Sequence, residues 1–145
     1  MKRTTFLAVA ALFLGVAMSG QAQAESAPGC GPVTQIGTTG YIGSGGQKWA
    51  SVKQFKGCGK NWAYIYTWNS VHTAGAPYTP LFVIIAKWGS ESSREPYAHA
   101  GRKAGGYRQQ ELWSYGTDTL DTCTNAFAEW SSGAATYRAE TSIRC

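Results

Sequence analysis

The sequence predicts an all-β domain, an antiparallel sandwich or small barrel of about seven short strands tied by two disulfides. Three observations predict it. The chain reads as short extended runs broken by glycine, with no stretch of ten or more residues carrying helical periodicity and a cap at both ends. The four cysteines form an even set. In "NWAYIYTWNS" (61–70), Trp62, Tyr64, Tyr66 and Trp68 recur at every second position, the period of a strand.

Before the strands comes a secretory signal. Lys2 and Arg3 precede the apolar run "FLAVAALFLGVAM" (6–18), and "AQA" (22–24) supplies small residues before Glu25. The run is shorter than the roughly 20 apolar residues of a membrane span. The expected product is therefore residues 25–145, exported, forming one domain with no membrane partner. Losing Lys2 and Arg3 lowers the formal charge from +5 to +3, too mild and too scattered to hold nucleic acid.

The strands follow in order. "VTQIG" and "TGYIG" (33–43) predict two brief strands around a turn. "QKWASVKQF" (47–55) and "NWAYIYTWN" (61–69) predict a hairpin across "KGCGK". "VHTAGAPYTP" (71–80) predicts a loop, with Pro77 and Pro80 kept out of a central strand. "LFVIIAKW" (81–88) has the length and β-branched content of a buried strand, and "YAHA" that of a short edge before the loop "GRKAGG". "YRQQELWSY" (107–115) alternates, and "LDTCTNAFAEW" and "ATYRAETSIRC" flank "SSG" as a terminal hairpin.

A turn over residues 56–60 pairs Phe55 with Asn61, Val52 with Tyr64 and Ala50 with Tyr66, setting the four rings beside Lys48, Ala50, Val52 and Gln54. A slip of one residue exchanges the faces of one strand. Since Leu, Ile and Val are scarce outside 81–88, the rings are expected to supply core; a part-buried row with the Tyr hydroxyls at the rim and a fully exposed row that grips a ligand are the alternatives.

Cys30, Cys58, Cys123 and Cys145 stand 28, 65 and 22 residues apart, which fits no common zinc site, and there is no CxxC or HxxxH. No metal or cofactor is implied. An exported chain uses such cysteines as bridges. Cys30–Cys58 with Cys123–Cys145 is the favoured pairing, since each ties neighbouring segments, and each bridge stabilises by about 3–4 kcal/mol. The crossed and nested pairings stay open.

Catalytic signatures are missing. The two histidines, His72 and His99, lie in loop or edge segments with no spacing that brings them together. Asp118 and Asp121 sit beside a turn, where Asp caps backbone, rather than as a glycosidase pair. "GSGG" and "AGG" lack the Lys-Ser/Thr of a phosphate loop, and no G-x-S-x-G occurs. A non-enzyme is expected.

At "ASVKQFKGCGKNWAYIYTW" and "ELWSYGTDTLDTCTNAFAEW" the chain resembles short exported actinobacterial proteins of unknown function, over roughly residues 45–130. The Gly-Cys-Gly turn with its aromatic strand and the "WS.GTDT...CT" stretch carry that resemblance. In size, export and lack of catalytic motifs it is also similar to the small bridging subunit of antibacterial umbrella toxin particles. That likeness implies an adaptor whose partner is another secreted protein. The competing expectations are a carbohydrate or cell-wall binding module with a glycan as partner, and a small inhibitor or nuclease-type toxin. Trp49, Trp62, Tyr64, Tyr66, Trp68, Tyr97, Tyr107, Trp113 and Tyr115 are the candidate binding rings.

Overall fold

A computed structural model describes residues 25–145; the expected signal segment, residues 1–24, lies outside the described residues. The chain opens with a minimal hairpin, β1 (Ser26–Ala27) and β2 (Gly31–Pro32). The long strands β3 (Thr34–Ser44), β4 (Gln47–Gly57) and β5 (Lys60–Thr67) follow, then one helical turn, α1 (Asn69–His72). The remaining strands are β6 (Thr79–Trp88), β7 (Ala98–Ala104), β8 (Glu111–Trp113), β9 (Cys123–Ser131) and β10 (Thr136–Glu140).

Eight of these strands build two four-stranded antiparallel sheets, ordered β3-β4-β5-β8 and β10-β9-β6-β7. They stack as a sandwich, the first of the two expected architectures. The core between them joins Ile42, Ala50, Val52, Ala63, Ile65 and Leu112 of the first sheet to Val83, Ile85, Ala126, Ala128 and Trp130 of the second, with Tyr78 at one end. "LFVIIAKW" forms the body of β6, a central strand whose two ladders are both occupied. Both favoured disulfides, Cys30–Cys58 and Cys123–Cys145, are formed.

Several local expectations are corrected. Residues 34–44 make one strand, because the register shift between Ile36 and Gly40 absorbs Gly37, at φ +71°, as an irregularity within the ladder. β7 continues through "GRKA", expected as loop, and β8 keeps only the middle of the expected 107–115 strand. Pro80 lies inside β6, tolerated where the register with β9 shifts between Pro80 and Phe82.

The largest correction concerns the aromatic hairpin. Its turn holds two residues, Cys58 and Gly59, with φ of +52° and +69°, the paired positive φ of a tight hairpin turn. Phe55 therefore pairs with Trp62, Val52 with Ile65 and Ala50 with Thr67. The register differs by one residue from the expected one, so the rings lie beside Ser51, Lys53 and Phe55 rather than Ala50, Val52 and Gln54. Ala63, Ile65 and Thr67 face the sandwich core with no exposed surface, while Trp62, Tyr64 and Tyr66 face the other way.

That outer face is roofed by the amino-terminal segment. Ala27, Val33 and Cys30 pack on Phe55, Trp62, Tyr64, Trp113 and Tyr66, and the Cys30–Cys58 bridge fastens the segment to the hairpin turn. Lys53 pairs with Glu25 at its start. The domain thus has a second, smaller apolar layer outside the sandwich, built mainly from rings.

The sheet edges are laced to each other. On one side Thr38 N donates to Ser142 Oγ (3.0 Å) and Ser142 N to Thr38 Oγ1 (3.2 Å), joining β3 to the segment after β10. On the other side Tyr115 N donates to Gly101 O (2.9 Å), joining the end of β8 to β7.

Candidate functional site

Two clefts hold most of the candidate rings. The first lies at one end of the sandwich and encloses about 530 Å³ between Trp49, Trp68, Val71, Pro77 and Trp130, with mainly apolar surface. A bulge creates it. Ile42 pairs with Ala50 but Gly43 pairs with Lys48, so Trp49 is the extra residue on β4. Out of register with β3 while its carbonyl still accepts from Trp68 N (2.8 Å), Trp49 turns over the end of the core, where it stacks on Trp130 (5.9 Å between centroids) and meets Tyr137 edge-on (5.0 Å). Trp130 is pinned in turn by donating its Nε1–H to Thr67 Oγ1 (3.1 Å).

The far wall of this cleft is α1 and the loop after it. Val71 N and His72 N both donate to Trp68 O, closing the helical turn immediately after the strand. Arg108 clamps the loop, its guanidinium donating to Ala76 O (2.7 Å) and to His72 O. Tyr78 Oη donates to Arg108 O (2.9 Å) and is hydrogen-bonded with His72 Nδ1. Burial holds the Tyr78 hydroxyl above the usual tyrosine range, against the opposing charge of Arg108.

The second cleft, about 580 Å³, opens on the outer face of the first sheet beside the roof. The register supplies its floor in two rows: Lys53–Tyr64–Trp113 across β4, β5 and β8, and Ser51–Tyr66–Glu111 next to it. Tyr64 and Trp113 lie 4.4 Å apart between ring centroids, tilted by 40°. Glu25 comes down from the roof, pairs with Lys53 through Oε1, and keeps Oε2 buried with no donor among the described residues reaching it. Glu111 stands exposed at the rim. Burial, then the negative charges of Glu111 and Glu25, raise the Tyr64 hydroxyl well beyond the usual tyrosine range.

The predicted rings are thus divided. Trp49 and Trp68 line the first cleft, Tyr64, Tyr66 and Trp113 the second, and Trp62 is buried beneath the roof. Tyr97, Tyr107 and Tyr115 are each more than 60% exposed and stay apart from both clefts. Lysine ammoniums stand near two of them, Lys87 5.5 Å from the Tyr97 ring and Lys103 5.6 Å from that of Tyr115. The row 62–68 is therefore part core and part cleft wall.

His72 is taken up by the Tyr78 and Arg108 knot, while His99 is exposed on edge strand β7 opposite Ala86. Asp118 pairs with Lys60 (2.7 Å). Among the described residues no group of three or more His, Cys, Asp or Glu side chains gathers as metal ligands.

Sequence reasoning missed Glu25, Lys53 and Glu111 in the second cleft and Val71, Pro77 and Trp130 in the first. One available signal was Cys-Gly at 58–59: read as a two-residue turn, it places Lys53 opposite Tyr64 at once. No protein family, curated protein or solved structure matches this chain.

Proposed function

We propose that this chain is a secreted, non-enzymatic protein-binding module, an adaptor or scaffold subunit of an exported bacterial assembly such as an antibacterial toxin particle. The observation that carries the reading is the first cleft: three tryptophans, Trp49, Trp68 and Trp130, around an open, mainly apolar hollow with walls fixed by ring stacking and the Arg108 clamp. Protein interfaces concentrate their energy in such pockets, where an aromatic or aliphatic anchor is fully desolvated. Two disulfides fit an oxidising environment outside the cytoplasm.

The test is recovery of tagged protein from the medium of its producer, followed by mass spectrometry and sizing of whatever comes with it. A partner at fixed stoichiometry, lost on Trp68→Ala while the variant keeps its fold, is the expected result. A clean monomer overturns the adaptor reading, and retention on peptidoglycan that Trp→Ala substitutions abolish moves the function to glycan binding.

A further inference from the structure

We propose that the second cleft receives a basic side chain, an arginine or lysine of the protein partner, between Glu25 and Glu111 and against the half-buried ring of Tyr66. The inference rests on the protein-binding reading for the source of that side chain, but not for the chemistry of the cleft.

Charge comes first. Two carboxylates and one ammonium line the cleft, so it carries one net negative charge in a chain whose formal charge is +5. Lys53 occupies only one oxygen of Glu25. The other, Oε2, is buried and receives no hydrogen bond from the described residues, a state that costs free energy until a donor arrives. Glu111 at the rim has no ion-pair partner among the described residues. What is missing is a cation that carries several N–H donors.

The floor narrows the class further. Tyr64 and Trp113 form a tilted pair and Tyr66 extends it along the strand. Tyr64 and Trp113 are buried against each other, so the half-buried Tyr66 ring offers the face that attracts a guanidinium or ammonium and packs on its methylene stem. An anion is repelled by the carboxylates. A divalent metal needs six or more oxygen ligands for calcium or a near-octahedral set for magnesium, which two carboxylates on opposite walls do not make. A neutral sugar could stack on the rings but would leave the buried Glu25 oxygen without its charge-matched donor. Arginine fits best, since its planar fork serves a carboxylate and a ring face together.

The test needs no partner. Nα-acetyl-L-arginine amide and its neutral isostere, Nα-acetyl-L-citrulline amide, are titrated separately into the disulfide-bonded protein and followed by NMR at the Trp113 indole and the Tyr64 amide. The expected result is saturable shifting by the arginine probe and at least tenfold weaker response to citrulline. Glu111→Gln, an exposed position that leaves the spectrum otherwise dispersed, weakens the arginine probe by about tenfold. Trp68→Ala in the other cleft leaves it unchanged.

Equal response to both probes, or an arginine response untouched by Glu111→Gln, overturns the proposal, as does stronger shifting of the same signals by N-acetylglucosamine. Failure of the adaptor reading looks different: no partner is recovered, yet the arginine probe still binds and still depends on Glu111.

Discussion

Gln54 on β4 reaches across the sandwich and donates its Nε2–H to Thr124 Oγ1 on β9, at 2.7 Å, with neither residue more than 1% exposed. Asn61 Nδ2 donates to the same hydroxyl (3.3 Å) and to Thr119 O (3.0 Å). At this end the two sheets meet through polar groups rather than apolar ones. Such a contact stabilises little when made but costs much when half removed.

Thr124→Val should therefore lower stability by about 1–3 kcal/mol, because it strips a buried amide of its acceptor. Adding Gln54→Leu removes the stranded amide and should restore most of the loss. Urea unfolding of the two variants checks both values. Equal stability of single and double variants would show the cross-sheet bond to be immaterial.

Reduction separates the two disulfides. Replacing Cys30 and Cys58 by alanine should cost about 2–4 kcal/mol. It should also speed hydrogen exchange in residues 26–33 and 60–66, since the bridge holds the roof over Trp62 and Tyr64. The Cys123→Ala/Cys145→Ala variant should leave exchange in those segments unchanged. Equal protection in both variants would mean that apolar packing alone secures the roof.

Alkaline titration should find Tyr64 and Tyr78 silent until the fold opens. Both hydroxyls are raised above their ordinary range in the folded chain, which favours the neutral phenol. Unfolded tyrosine ionises near pH 10. The contribution of these groups is thus complete below about pH 10 and is lost as the pH climbs above it, because only the unfolded chain then releases their protons. Phenolate absorbance from Tyr64 and Tyr78 should rise together with tertiary unfolding, and Glu111→Gln should let Tyr64 ionise earlier.

Gly40 marks a tight seam. A Cβ built there would collide with the backbone carbonyl of Glu140, so β3 and β10 approach too closely for any side chain. Gly40→Ala should destabilise by about 1–3 kcal/mol through overpacking against backbone. Thermal melting measures it, and a melting curve that overlays the parent would mean that the edges can part freely.

How far the sequence disclosed this arrangement differs residue by residue. Cys30–Cys58 and Cys123–Cys145 were legible because each joins neighbouring segments, and β6 because an uninterrupted apolar run has few other uses. The faces of β5 were not legible. They depend on whether the turn holds two residues or five, and a one-residue difference sends Ala63, Ile65 and Thr67 to the core instead of the rings. Trp49 was read as a ring but not as a bulge, since its aim depends on a shift in pairing with Gly43 that no local pattern announces. Glu25 and Glu111 were invisible as a pair because they reach one cleft from a roof and from a third strand, far apart along the chain.

The position of β6 has a consequence for colloidal behaviour. Leu81–Ala86 is an uncharged, β-branched stretch of the kind that seeds fibrils when left exposed. In the folded chain it lies between β7 and β9, so no other copy can add to it. The hazard is confined to the interval in which the chain is unfolded and β9, some forty residues later in the sequence, has not yet arrived. Conditions that slow this last pairing, rather than those that weaken the finished fold, are where insoluble product should accumulate.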